Sequence, residues 1–164
     1  MTVSVNHRRR GLLTGRVRAE VPLRPPWSVP EEAFTAACSR CGACIEACPE
    51  AILVAGSGGF PEVDFRRGEC TFCQACARAC PEPLFLLDAP PWRLTAVVTD
   101  GCLARQRILC QLCRESCEVQ AIRFPLAAGR TPEPLVDADA CTGCGACVGA
   151  CPVGAIAVLR QGNP

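Results

Sequence analysis

The chain contains no lysine and no tyrosine, and its one histidine, His7, stands near the beginning. Beyond residue 7 there is therefore no imidazole for Rieske-type ligation or for general base work. No glycine-rich phosphate loop is present, nor a C-x3-C-x2-C run of the radical-SAM type, so the sequence does not read as a self-contained enzyme. Aromatic residues make up 5% of the chain and every basic residue is an arginine. A nucleic-acid partner would need a face on which aromatic and basic side chains alternate, and the body of the chain has none.

Long hydrophobic runs are also scarce. Cys141 to Leu159 carries no charge, and its length approaches that of a membrane span. Four glycines, Pro152 and four thiols within it make a lipid-exposed helix untenable, so no membrane span is expected. The start, His7-Arg8-Arg9-Arg10-Gly11-Leu12-Leu13, has the head of a twin-arginine export signal. Its leucine pair runs into Gly15, Arg16, Arg18 and Glu20 without the apolar region an export signal needs. The expected location is the cytoplasm.

What is abundant is cysteine, sixteen in 164 residues. The nominal 49% of hydrophobic residues includes those thiols and many alanines, so the conventional core is thin and needs a staple. A reducing compartment rules out disulfides for that purpose, which leaves metal.

The cysteines fall into four groups: Cys38, Cys41, Cys44, Cys48; Cys70, Cys73, Cys76, Cys80; Cys102, Cys110, Cys113, Cys117; and Cys141, Cys144, Cys147, Cys151. Three follow C-x2-C-x2-C-x3-C-P; the third is C-x7-C-x2-C-x3-C-E, with Glu118 in place of the proline. In the regular spacing three thiolates converge on one small object while the intervening backbone turns its N–H groups inward, which suits three corners of an iron–sulfur cubane. The fourth cysteine ends a single helical turn, because proline disfavours helical dihedrals in the residue before it. That turn aims the fourth thiolate away from its own loop. A structural zinc site would use two CxxC pairs a dozen or more residues apart and leave the third close thiol idle. The sixteen cysteines are thus read as ligands of four [4Fe–4S] clusters. For the third group a labile site, a three-iron centre or an unligated Cys102 stays open.

Between the groups a second repetition appears. Ala51-Ile52-Leu53-Val54, Gly56 to Gly59 and Pro61 to Phe65 read as one hairpin; Ala121 to Phe124, a turn through Gly129 and Pro134 to Asp137 read as another. The double proline Pro90-Pro91 marks an internal boundary. The organisation expected is an arm over 1–30, a first two-cluster domain over 31–89 and a second over 90–164. The arm holds six arginines and one acid and reads as an extended, poorly packed tether. Deleting 1–28 should then leave every cluster in place.

Formal charge is +1, but four thiolates around a core of roughly +2 leave about −2 per site and carry the loaded chain to roughly −7. A basic arm on an acidic body can steer docking.

The body, residues 31–160, resembles tandem bacterial ferredoxin domains. The resemblance implies an α+β fold of short helices and two-stranded hairpins around each pair of clusters. It also implies crossed ligation, each fourth cysteine serving the other cluster of its pair. On that basis Cys80 joins Cys38, Cys41 and Cys44, and Cys48 joins Cys70, Cys73 and Cys76. Likewise Cys151 joins Cys102, Cys110 and Cys113, and Cys117 joins Cys141, Cys144 and Cys147. With the arm included, Arg9-Arg10-Gly11-Leu12-Leu13, Arg24-Pro25-Pro26-Trp27-Ser28 and the irregular third group are similar to the ferredoxin-type accessory proteins of periplasmic nitrate reductase systems. That narrower resemblance implies a cytoplasmic, non-enzymatic protein that meets the nitrate reductase catalytic subunit before export and helps it acquire or reduce its own cluster. An electron carrier, or a wiring subunit of a larger oxidoreductase, is the alternative.

Overall fold

A computed structural model describes residues 22–126, 128 and 130–161. The arm before residue 22 and the expected turn at Gly129 lie outside the described residues. Among the described residues there are five short α-helices: α1 (Glu31–Ala37), α2 (Ala43–Glu46), α3 (Ala75–Ala79), α4 (Leu112–Glu115) and α5 (Ala146–Ala150). Six strands among the described residues make three antiparallel pairs: β1 (Leu53–Ala55), β2 (Pro61–Val63), β3 (Leu94–Val98), β4 (Ile122–Arg123), β5 (Leu135–Val136) and β6 (Ile156–Arg160). The small helix-and-strand architecture agrees with an α+β reading.

Helix α1 was not foreseen from the cysteine pattern, although its signals are ordinary. Pro30 precedes it, Glu31 and Glu32 sit in its first turn where the helix dipole favours negative charge, and Phe34 is its one buried residue. Helices α2 to α5 are each one turn long and each contains the third cysteine of its group.

Both expected hairpins form. Leu53 faces Val63 in the first, and Ile122 faces Val136 in the second. The sequence reading missed the pair β3–β6, in which Leu94 lies opposite Arg160 and Val98 opposite Ile156. Its signal was the alternation in Leu94-Thr95-Ala96-Val97-Val98, whose first, third and fifth residues are buried.

The first half has a rudimentary counterpart of that outer pair, and the arm supplies one side of it. Ser28 bridges to Phe85, Val29 N–H donates to Leu84 O at 2.9 Å, and Leu86 N–H donates to Trp27 O at 2.8 Å. The expectation of a poorly packed tether up to residue 30 is therefore corrected for residues 22–30. Arg24 and Trp27 are buried, Val63 N–H donates to Leu23 O, and Arg160 reaches Pro22 O from the second half. The physical reason is pairing of charge. The Arg24 guanidinium forks onto Glu31, donates to Pro61 O and lies between the Phe34 and Phe60 rings, so it can be buried without losing its hydrogen bonds.

Three small cores hold these pieces. One, around Phe34, Phe60 and Leu84, has Cys38 and Cys80 packed on it. Another lies within the second half, around Ala96, Val98, Ile122, Phe124 and Ile156. The third is shared: Ile52, Leu53 and Phe65 of the first half pack with Leu94 and Val158 of the second.

Candidate metal centres

The cysteine loops repeat at the level of single dihedrals. In the first, second and fourth groups the residues on either side of the second cysteine are left-handed: Arg40 and Gly42, Phe72 and Gln74, Gly143 and Gly145. Such alternation turns successive N–H groups into a concavity that favours negative charge. In the third group the corresponding residue, Gln111, has φ −135° and breaks the pattern. After the fourth cysteine the backbone again turns left-handed at Ala51, Gln120 and Gly154; in the second group Pro83 occupies that place and cannot do so.

Two of the fourth cysteines show the extended backbone that a following proline favours. Cys80 ends α3 at φ −79°, ψ 125°, and Cys151 ends α5 at φ −80°, ψ 110°, both extended. In the second half the thiols of Cys117 and Cys151 each accept a backbone N–H, from Ala121 at 3.3 Å and Ala155 at 3.2 Å.

Two pockets gather thiols across groups. One is lined by Cys38, Cys41, Cys44 and Cys80, with Phe34 and Leu84 behind them. The other is lined by Cys48, Cys70, Cys73 and Cys76, with Pro26 and Trp27 in its wall. In the second half Cys113 and Cys147 lie in one core, with Cys102, Cys117, Cys141 and Cys151 packed against it. The thiols surround a space rather than a point. Among the described residues no three cysteine, histidine, aspartate or glutamate side chains converge closely enough to hold a single metal ion.

Mutual influence among the thiols shows which are close. Burial pushes Cys44 up to about 11, with smaller contributions from Cys80, Cys38 and Cys76. Cys70 is pushed to about 11 by burial, against an N–H from Phe72, and it also feels Cys48, Cys73 and Cys144. Cys76 is raised to about 11 by burial and feels Cys70, Cys48 and Cys73. Cys113 rises to about 11 through burial and then through the nearby thiols of Cys102 and Cys110. Cys147 rises to about 12, through burial first and then Cys144, Cys141, Cys113 and Cys117. A thiol in such a place gives up its proton when positive iron replaces it. The donor set, all thiol with inward amides, fits an iron–sulfur cubane.

Exposure differs between the halves. Cys41 and Cys73, each the second of its group, are exposed; no cysteine of the third or fourth group is. The seven-residue spacer of the third group folds into hydrogen-bonded turns, Gln106 to Cys102 and Ile108 to Leu103, and presents Leu109 80% exposed.

The aromatic residues near these loops were not singled out from the sequence. Trp27 meets Phe72 edge-on with centroids 6.3 Å apart, Phe72 meets Trp92 at 5.7 Å, and Trp92 meets Phe65 at 5.8 Å. Trp92 Nε1 donates to Thr142 O at 2.9 Å, inside the fourth cysteine loop. Each of these rings is a hydrophobic residue next to a turn, which gave no hint of a common destination.

No helix among the described residues is long and apolar enough to cross a membrane. The 4Fe-4S dicluster domain model matches residues 37–83 and 106–155, so Cys102 is the one cysteine of the sixteen that falls outside the match. The chain is similar to the ferredoxin-type protein NapF of Haemophilus influenzae, with 52% identity over 144 residues covering 86% of this chain and 82% of that one. It is similar to NapF of Escherichia coli K12, with 46% identity over 156 residues covering 94% and 95%. It is 35% identical to the methylamine utilization ferredoxin-type protein MauM of Methylorubrum extorquens, over 83% of this chain and 70% of that one.

Proposed function

Because the chain belongs to the NapF family of ferredoxin-type iron–sulfur proteins, we propose that it is an accessory protein which prepares the catalytic subunit of periplasmic nitrate reductase in the cytoplasm. It carries four [4Fe–4S] clusters, and the clusters supply one-electron chemistry or iron–sulfur units for the partner. Site one is held by Cys38, Cys41, Cys44 and Cys80; site two by Cys70, Cys73, Cys76 and Cys48. Site three is held by Cys102, Cys110, Cys113 and Cys151; site four by Cys141, Cys144, Cys147 and Cys117. The domains are 31–89 and 90–164 in outline, with residues 22–30 serving as part of the first. The protein itself catalyses no reaction.

The observation that carries this reading is family identity over nearly the whole chain, beyond the ferredoxin motifs. The match to relatives at 46–52% identity covers 82–95% of their own length. Support for the ligand sets comes from the two pockets, each lined by three thiols of one group and the fourth of the other.

The experiment is to isolate the nitrate reductase catalytic subunit from cells lacking this protein. A subunit short of iron and inactive with an artificial electron donor is the expected result. A subunit replete with iron and active with that donor, from cells that still reduce nitrate poorly, would favour an electron carrier instead. The exposure of Cys41 and Cys73 is the feature that favours this second reading, since a ligand at the surface shortens the distance to a redox partner.

A further inference from the structure

The second and fourth cysteine loops touch. Cys70 N–H donates to Cys144 O at 2.8 Å, joining the first ligand of site two to the second ligand of site four across the boundary between halves. Around this contact stand four of the eight aromatic residues in the chain. They form one continuous edge-to-face row, Trp27–Phe72–Trp92–Phe65. The row starts in the wall of site two, where Trp27 lines the pocket. It ends at the fourth loop: Trp92 is hydrogen-bonded to Thr142 O, and the Phe65 ring fills the space a side chain on Gly145 would need. Gly143 is also pressed, since a Cβ there would lie 2.6 Å from the Cβ of Leu94.

We propose that the Cys70–Cys144 contact and these four rings form the electron crossing between the halves, so that the sites run in the order one, two, four, three. The inference rests on the ligand sets proposed above. The neighbouring steps follow from the crossed ligation within each half, and sites one and three become the two ends. The crossing moves one electron from a reduced site in one half to an oxidised site in the other, with no bond made or broken and no proton moved. Trp92 and Phe65 are positioning residues: they fix the fourth loop against the second. Edge-to-face contact is a preferred arrangement of aromatic rings, so the row favours one spacing between the two loops.

The test uses the loaded, full-length protein and low-temperature electron paramagnetic resonance after reduction with dithionite. Wild type is first assayed for iron; far less than about sixteen atoms per chain would fail the four-cluster reading itself, before the crossing is tested. Given full iron, the site-two signal is recorded after each site of the second half is removed singly. Cys147→Ser, which removes site four, should sharpen the site-two signal by removing its magnetic coupling to site four and leaving only the coupling to site one. Cys113→Ser, which removes site three, should leave that signal as it was. The reverse pattern, or no response to either, overturns the order. Trp92→Phe deletes the bond to Thr142 without emptying a site; iron content should be unchanged while the coupling between sites two and four weakens. Unchanged coupling in that variant overturns the positioning role. Both tryptophans stand in this row, so loading site two should quench intrinsic fluorescence several-fold, and emptying site three should not restore it. Restoration on emptying site three would also count against the order.

Discussion

The guanidinium of Arg24 and the carboxylate of Glu31 meet in two parallel hydrogen bonds, 2.8 and 2.6 Å long, behind the small core on which Cys38 and Cys80 pack. Replacing Arg24 with alanine leaves Glu31 and Pro61 O without their donor and removes the cation from between two rings. The expected cost is about 2–3 kcal/mol. Arg24→Lys should recover little of it, since a single ammonium cannot reproduce the fork. Rates of iron release into a chelator, measured for the loaded variants, should rise with Arg24→Ala and stay raised with Arg24→Lys.

Deletion of residues 1–29 should cost iron from the first half, against the sequence expectation that a shorter deletion, 1–28, leaves every cluster in place. Residues 27–29 supply one side of the outer pairing with residues 84–86, and Trp27 walls site two. Iron per chain should fall toward half of the wild-type value. Full iron in the truncated protein would show that this pairing is dispensable.

Crossed ligation has a specific signature. Cys48→Ser should perturb site two while leaving site one intact, and Cys80→Ser should do the opposite, although each residue lies in the other site's segment. Mössbauer spectra of the two variants, compared with Cys44→Ser for site one and Cys76→Ser for site two, would show matching losses. Losses confined to the variant's own group would mean uncrossed ligation.

Equivalent glycines should differ in their tolerance. Gly42 and Gly145 share the position after the second cysteine and have φ +82° and +88°. A methyl on Gly42 meets nothing within 4 Å, so Gly42→Ala carries only the left-handed strain of about 1–2 kcal/mol. Gly145→Ala adds a collision with the Phe65 ring, which overpacking series put at about 1–3 kcal/mol more. Thermal denaturation of the loaded variants should rank them in that order.

The cluster-free protein should weaken as pH rises. Burial lifts Cys44, Cys70, Cys76 and Cys113 from 9.0 to about 11, and Cys147 to about 12. A raised folded value means the folded state favours the protonated thiol, so its contribution is whole below pH 9 and is lost as pH climbs through 11 to 12. Circular dichroism of the anaerobic apoprotein should follow that window. Stability that held constant across it would mean the thiols are not buried in the apo state.

What could be read from the sequence was what is local. The cysteines of each group are close in sequence, and each hairpin pairs neighbouring stretches of chain, β1 with β2 and β4 with β5, so local spacing was enough to place them. The outer pairs could not be read the same way, because Ser28 meets Phe85 and Leu94 meets Arg160 across long stretches of chain. Alternation in 94–98 announces a strand without naming its partner. Arg24 misled for a different reason: an arginine among prolines looks solvated until Glu31, Glu62 and two rings are brought around it. Arg40, Phe72 and Gln74 in left-handed geometry were likewise hidden, since such positions ordinarily announce themselves as glycine.

The surface thiols Cys41 and Cys73 give the molecule a weathering order. Oxidants reach a sulfur in proportion to its exposure and thiolate character, and both exposed sulfurs belong to the first half while the second half shows none. A sample left in air would not sort into intact and ruined molecules. It would fill with hybrids, spent at one end and serviceable at the other, and a bulk iron figure near half of the full value would describe nearly every molecule in the tube.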